Sequence, residues 1–381
     1  MPKFRKILFL VDADISTGSG KSVTELVQLM KANSFCNPVV LTLQNNGVNV
    51  FCDSLEIENY SIEFGRTCSI AKSYLGHLMS CIRRPFVNRT ALRFLKGKNL
   101  LDELDAVCSN TSTIDFGAYL YKILHIPHIW QIREFLVFNR DIPPIIGNLP
   151  GYISKNSSKV ITVSKKIRDY CVDRCEGNEK FITIYDGVSG IIKEKKYWNN
   201  SSIRLLCVGE ISKLKGQDVL VSAFLDLPEN IRKEFTLDFV GGGNQSLIEE
   251  LKEKICAHGA SQYVSFKGFS NQIRELLPNY DVGVQPSHSE GFSRVIVEYM
   301  LAGLCVVATE GNAESIKSGV NGFLYNSSDQ NALKNILIQL YEKKSLIKEY
   351  GCKARVDAME NYCIEKNYSK ICDVFESCLK K

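Results

Sequence analysis

Apolar runs of strand length alternate with helical patterns along nearly the whole chain, and this constrains the fold more than any other feature. In the first half such runs predict strands at Lys6–Asp12, Val39–Leu43, Asp105–Ser109, His128–Gln131, Lys159–Val163 and Phe181–Tyr185. In the second half they predict strands at Ile203–Val208, Thr236–Val240, Val264–Phe266, Val282–Gln285 and Cys305–Thr309. Helical patterns fall at about Gln217–Leu225, Gln245–His258 and Ser293–Ala302. Strands alternating with helices predict an α/β class built of doubly wound parallel sheets covered on both faces. Ligands of such sheets bind beyond the carboxyl ends of the strands.

The length of 381 residues, with 45% hydrophobic content, suits two domains. The polar stretch 187–202, with the run KEKKYWNNSS, is read as the linker between a domain 1–186 and a domain 203–350. No apolar run approaches the ~18 residues of a membrane-crossing helix. The opening MPKFRKILFLVDAD meets Asp12 too early for a signal peptide and is read as the first buried strand. The fourteen cysteines are scattered and none has CxxC spacing, so a reduced, cytoplasmic chain without structural metal is expected.

The stretch SEGFSRVIVEYM, Ser289 to Met300, carries the densest chemistry. Glu290 falls in a strand-to-helix loop, Gly291, Phe292 and Ser293 open the helix, and Glu298 lies inside it. Free amides and the partial positive charge at a helix N-terminus suit a phosphate. Glu298 is placed to accept hydrogen bonds from vicinal hydroxyls. A lone Glu pair at this spacing is ordinarily a loop residue and an exposed helix residue. Here it stands in register with LLCVGEISKLKG, which ends a strand at Gly209 and brings Lys215 just before a helix, and with GNAE and Asn321-Gly322 downstream.

This succession resembles the nucleotide-sugar-binding half of glycosyltransferase family four, retaining enzymes of the GT-B fold, most strongly from Ile203 to Tyr325. The resemblance implies two Rossmann-like domains facing a cleft, with the terminal helices, residues 351–381, packing back on the first domain. It further implies that Glu290 contacts the transferred sugar, Glu298 the ribose, Lys215 the phosphates and Phe269 the base. The Gly-rich loop after the first strand, with Gly18 and Gly20, would face the donor phosphate. Expulsion of a diphosphate needs preorganised positive charge, and no Asp-x-Asp pair stands in the donor loops, so no metal and no cofactor beyond the nucleotide-sugar substrate are expected.

The chain also departs from the family pattern. Glu210 stands where relatives have Arg, with Lys213 as the substitute cation for phosphate. Ser293 replaces a Gly and is read as an N-cap. In HIWQIREF no His falls at the usual place, leaving Gln131 or Arg133 as analogues; Arg133 either orients acceptor or phosphate, with Glu134 as partner, or forms a structural ion pair. Asn110 is a further acceptor-side candidate. STGSGKS, Ser16 to Ser22, imitates a triphosphate-binding loop but has Ile15 where that loop needs Gly.

The net charge is +5, and from residue 64 to 101 eight basic residues (Arg66, Lys72, Arg83, Arg84, Arg89, Arg93, Lys96, Lys98) occur without an acidic one. Interleaved with Leu78, Met79, Ile82 and Phe86, they predict contact with an anionic membrane surface, against the alternative of a solvated helix face. No motif for nucleic acid accompanies them. The expected function is retaining transfer of a hexosyl group from a UDP- or GDP-sugar to a polyprenyl-linked oligosaccharide, in lipopolysaccharide O-antigen or capsule assembly. The alternatives are a nucleotide-sugar epimerase of GT-B fold and a P-loop-like triphosphate-binding protein.

Overall fold

The computed structural model describes residues 5–68, 74–135, 145–176, 178–188 and 202–379. The chain divides into one unit of residues 1–187 with 364–381 and a second of residues 188–363. The linker core, 189–201, and Lys72 lie outside the described residues.

The first unit holds β1 (Lys6–Val11), β2 (Asn37–Thr42), β3 (Glu58–Ser61), β4 (Leu104–Ser109), β5 (His128–Ile132), β6 (Lys159–Thr162) and β7 (Phe181–Thr183). They form one parallel sheet of order β3-β2-β1-β4-β5-β6-β7. The second unit holds β8 (Ile203–Val208), β9 (Phe235–Val240), β10 (Val264–Phe266), β11 (Val282–Gln285), β12 (Cys305–Thr309) and β13 (Gly322–Tyr325), ordered β10-β9-β8-β11-β12-β13 and again parallel. Both sheets are thus doubly wound, and the winding reverses between β1 and β4 in one and between β8 and β11 in the other. Ligand-binding crevices open at such reversals.

Burial explains which strands the apolar runs reveal. In β1 and β12 nearly every residue is buried, so both faces must be apolar. β3, at the sheet edge, has the sequence ENYS with no buried residue, and its pattern offers no apolar run. β13, at the other sheet's edge, follows Asn321 directly and is only four residues long.

The return of the chain to the first unit starts at residue 364, not 351. The helix Ser345–Asn361 stays in the second unit because Tyr350 packs on Phe323 at 5.1 Å and Asp357 takes a 2.7 Å hydrogen bond from Asn321. The helix Ile364–Leu379 instead buries Phe375 against Phe9 and Phe35, with ring centroids 6.2 and 6.3 Å apart.

Candidate active site

The second unit's reversal point is bordered by the loops after β8 and β11. The first is tied to its neighbours by backbone bonds from Gly209 to Val240 (3.0 Å) and from Ile211 to Gly242 (2.8 Å). It turns through Lys213–Lys215 into Gly216, whose φ of 68° favours glycine, and a Cβ there would stand 2.2 Å from the Pro286 carbonyl oxygen. His288 N donates to Leu214 O at 2.8 Å. The two loops are therefore fixed to each other, and Lys215 faces Glu290.

Lys215 Nζ donates to Glu290 Oε1 at 2.6 Å, with side-chain exposures of 25% and 14%. Ser287 Oγ donates to the same oxygen at 2.8 Å. Asn312 holds the loop from beneath: its Oδ1 accepts from Glu290 N at 3.0 Å and its Nδ2 donates to Ser287 O at 2.9 Å. Thr309 Oγ1 adds a 2.6 Å bond to Ser287 O. Among the described residues Glu290 Oε2 takes no hydrogen bond, and Lys215 Nζ makes only the one. Sequence reasoning quoted GNAE but gave Asn312 no task; a polar residue just past a buried strand end was the available signal.

The helix Arg294–Leu301 starts beside this pair. Ser293 occupies the N-cap position as predicted, but its side chain makes no capping hydrogen bond. A helix N-terminus carries partial positive charge, which suits an anion. Glu298 lies on this helix with its Oε1 3.9 Å from Arg274 Nε. Phe269, after β10, is 65% exposed.

Of the other donor-side candidates, Lys213, Glu210 and Gly18 are exposed and Gly20 is buried. Lys213 Nζ pairs with Asp218 Oδ2 at 3.1 Å and Glu250 Oε1 at 3.6 Å, at a side chain 63% exposed. Its charge is engaged by these two carboxylates on the surface. In the first unit, Thr17 caps the helix Gly18–Ala32 and Gly20 packs against its own loop, where a Cβ would meet Asp14 O at 1.9 Å. Local packing accounts for Gly20, and Gly18 is an exposed first-turn residue. Lys21 is exposed on this helix rather than enclosed in a phosphate-wrapping loop.

The acceptor-side candidates do come together, around a partner the sequence did not suggest. Arg133 donates through Nε to Asn110 Oδ1 at 2.8 Å, through Nη1 to Ser22 Oγ at 2.7 Å and to Asp186 Oδ1, and through Nη2 to Gln131 Oε1. Ser22 Oγ also donates to Asp186 at 2.9 Å. The ion-pair partner is Asp186 rather than Glu134, whose carboxylate accepts from Ser112 N at 2.7 Å and from Ser112 Oγ. With its guanidinium shared among four neighbours, Arg133 is a buried tie between the ends of β4 and β5, the first helix and residue 186, which favours the structural reading.

On the helix Tyr74–Gly97, Leu78, Met79, Ile82 and Phe86 are exposed, whereas Ala91 and Leu95 are buried. The exposed large apolar residues of the surface predicted for 64–101 therefore fall between Leu78 and Phe86, while exposed basic residues continue to Lys98. Among the described residues no helix is long and apolar enough to cross a membrane, and no group of metal-ligating side chains gathers.

Residues 189–357 match the family described as glycosyl transferases group 1. An uncharacterized glycosyltransferase of Methanocaldococcus jannaschii is 27% identical over 244 residues, 61% of this chain and 60% of its own length. The lipopolysaccharide core biosynthesis mannosyltransferase LpcC of Rhizobium leguminosarum is 28% identical over 179 residues, 45% of this chain. This chain thus spans 60% and 50% of these relatives' lengths. HepE of Anabaena in complex with UDP superposes with a TM-score of 0.80 at 21% identity, covering 98% of this chain and 100% of that one; the same protein is also solved with UDP-glucose. The two units share the fold of these GT-B structures.

Proposed function

On the premise that residues 189–357 are a glycosyl transferases group 1 domain, we propose that the chain is a retaining glycosyltransferase. It moves a hexosyl group from a nucleotide sugar to a hydroxyl of a lipid-linked saccharide in surface-polysaccharide assembly. The observation that carries this reading is the Lys215–Glu290 pair at the reversal point of the second sheet.

The chemistry follows from charge. As the bond from the anomeric carbon to the diphosphate lengthens, negative charge collects on the leaving group. Lys215, with donors to spare beyond Glu290, and the positive end of the helix Arg294–Leu301 neutralise it without a metal ion. Glu290 is already fixed through Oε1, which leaves Oε2 for a sugar hydroxyl. Glu298 holds the ribose and the exposed Phe269 ring stacks on the base. One relative is a mannosyltransferase of lipopolysaccharide core biosynthesis and one solved neighbour is in complex with UDP and with UDP-glucose; both support this class of donor and acceptor. The exposed apolar residues Leu78, Met79, Ile82 and Phe86, with the exposed basic residues of the same helix, support peripheral contact with an anionic membrane.

Purified protein incubated with UDP- and GDP-sugars, with and without polyprenyl-linked saccharides and with chelator present, tests the reading. The expected result is acceptor-dependent release of nucleoside diphosphate and a product that keeps the donor's anomeric configuration. Conversion of the sugar without acceptor would instead identify an epimerase.

A further inference from the structure

The strand β11 ends on a polar residue. Val282 and Val284 sit in the apolar core and Gly283 lies against the Tyr299 ring, but the last position is Gln285, only 4% exposed. Its Nε2 donates to Ser287 Oγ at 3.0 Å and reaches Glu290 Oε1 at 3.5 Å. Ser287, itself fully buried, donates its own O–H to the same Glu290 oxygen at 2.8 Å. Among the described residues no donor meets Gln285 Oε1, which is buried. Turning the amide over gives no relief. Oε1 would then face the Glu290 carboxylate, and the Ser287 oxygen would lose the N–H that it accepts. The orphan carbonyl therefore costs stability that an apolar side chain of the same shape would not.

What the amide does in return lies at Glu290. The last torsion of a glutamate is broad and nearly two-fold, so nothing intrinsic to the side chain fixes the plane of its carboxylate or tells its two oxygens apart. Here Lys215 Nζ, Ser287 Oγ and Gln285 Nε2 all converge on Oε1. A free hydroxyl rotates to suit its neighbours, but the Ser287 oxygen already accepts from Gln285, which leaves its proton directed at Glu290. We propose that Gln285 is a positioning residue for glycosyl transfer: through Ser287 it fixes the plane of the Glu290 carboxylate and keeps Oε2 turned to the transferred sugar. This rests on the reading of Glu290 as the sugar contact.

Gln285→Met nearly keeps the volume and removes both the donor and the orphan carbonyl. Its urea midpoint is expected at or above that of wild type, while kcat for transfer falls about 10- to 100-fold and KM for the donor stays within about twofold. Ser287→Ala should lower kcat likewise. Gln285→Met combined with Ser287→Ala should lose no more than the worse single variant, because both act along one chain of hydrogen bonds. A midpoint well below wild type, with kcat falling only as the folded fraction does, would make Gln285 a structural residue and overturn the proposal. So would wild-type kcat in Gln285→Met, a change confined to KM, or losses that multiply in the double variant. If wild type releases no nucleoside diphosphate from any nucleotide sugar, the transferase reading fails and stability decides the positioning. The shift in urea midpoint caused by Gln285→Met should then differ between wild type and a Glu290→Gln background; equal shifts overturn the proposal.

Discussion

Lys215 and Glu290 lie 75 positions apart in the chain, yet their side chains meet at 2.6 Å, and Ser287 closes on the same carboxylate oxygen. The pair is held by backbone bonds between two loops rather than by its own attraction, so its geometry should persist when either partner is changed conservatively.

Lys215→Ala removes a preorganised cation from the expected path of the leaving group. A fall in kcat of about 100- to 1,000-fold is expected, the range for losing one such donor. Release of nucleoside diphosphate measures it. Near wild-type turnover in Lys215→Ala would end the assignment.

Lys213→Ala should change turnover by no more than about threefold. Its partners are Asp218 and Glu250 on the exposed surface, and such pairs contribute about 0 to 1 kcal/mol. The same assay, run beside Lys215→Ala, distinguishes the two lysines.

Gly216→Ala must adopt a φ of 68° and place its Cβ 2.2 Å from the Pro286 carbonyl. A cost of at least ~1–2 kcal/mol is expected in urea unfolding. Activity should fall further than stability explains, because the same turn aims Lys215 at Glu290.

Arg133→Met leaves the buried Asp186 without its counter-charge and should cost about 3–5 kcal/mol. Arg133→Met combined with Asp186→Leu should recover much of that loss. Thermal stabilisation of the second unit by UDP is expected to be unaffected. If the single variant proves as stable as wild type, Arg133 is not the tie that its hydrogen bonds describe.

Two groups of the first unit, the half-buried Glu134 and the buried His128, give opposing pH dependences. Burial pushes Glu134 up to about 7 from 4.5, against the lowering effect of the Ser112 hydrogen bonds. Between these values the folded state keeps a proton that the unfolded state has lost, so this contribution to stability falls as pH rises. Burial pushes His128 down to about 4 from 6.5, so its contribution falls as pH drops through that window. Glu134→Gln should therefore lose stability more steeply than wild type between pH 6.5 and 4.5, by about 1.4 kcal/mol per pH unit. Urea midpoints across that range check it; parallel curves would refute it.

The strands Ile203–Val208, Val264–Phe266, Val282–Gln285 and Cys305–Thr309 stand where the apolar runs put them. Most residues of the three inner strands among them are buried and apolar, and such a run is written in consecutive residues. Glu58–Ser61 escaped because none of its residues is buried, whereas the edge strand Val264–Phe266 still buries Val264.

The sequence by itself determined the α/β class, the positions of most buried strands along the chain, and the local frame in which Glu290 precedes a helix and Lys215 ends a Gly-bearing loop. Each of these follows from periodicity and turn chemistry acting over a few residues. Only the tertiary structure decided which charges meet. It joined Lys215 to Glu290, turned Lys213 toward Asp218 and Glu250, gave Arg133 to Asp186 instead of its neighbour Glu134, and set Asn312 beneath the Glu290 loop. Such pairings depend on where the reversal of sheet winding brings the strand ends together, and on burial that makes an unpaired charge costly. Neither is encoded in the spacing of residues along the chain.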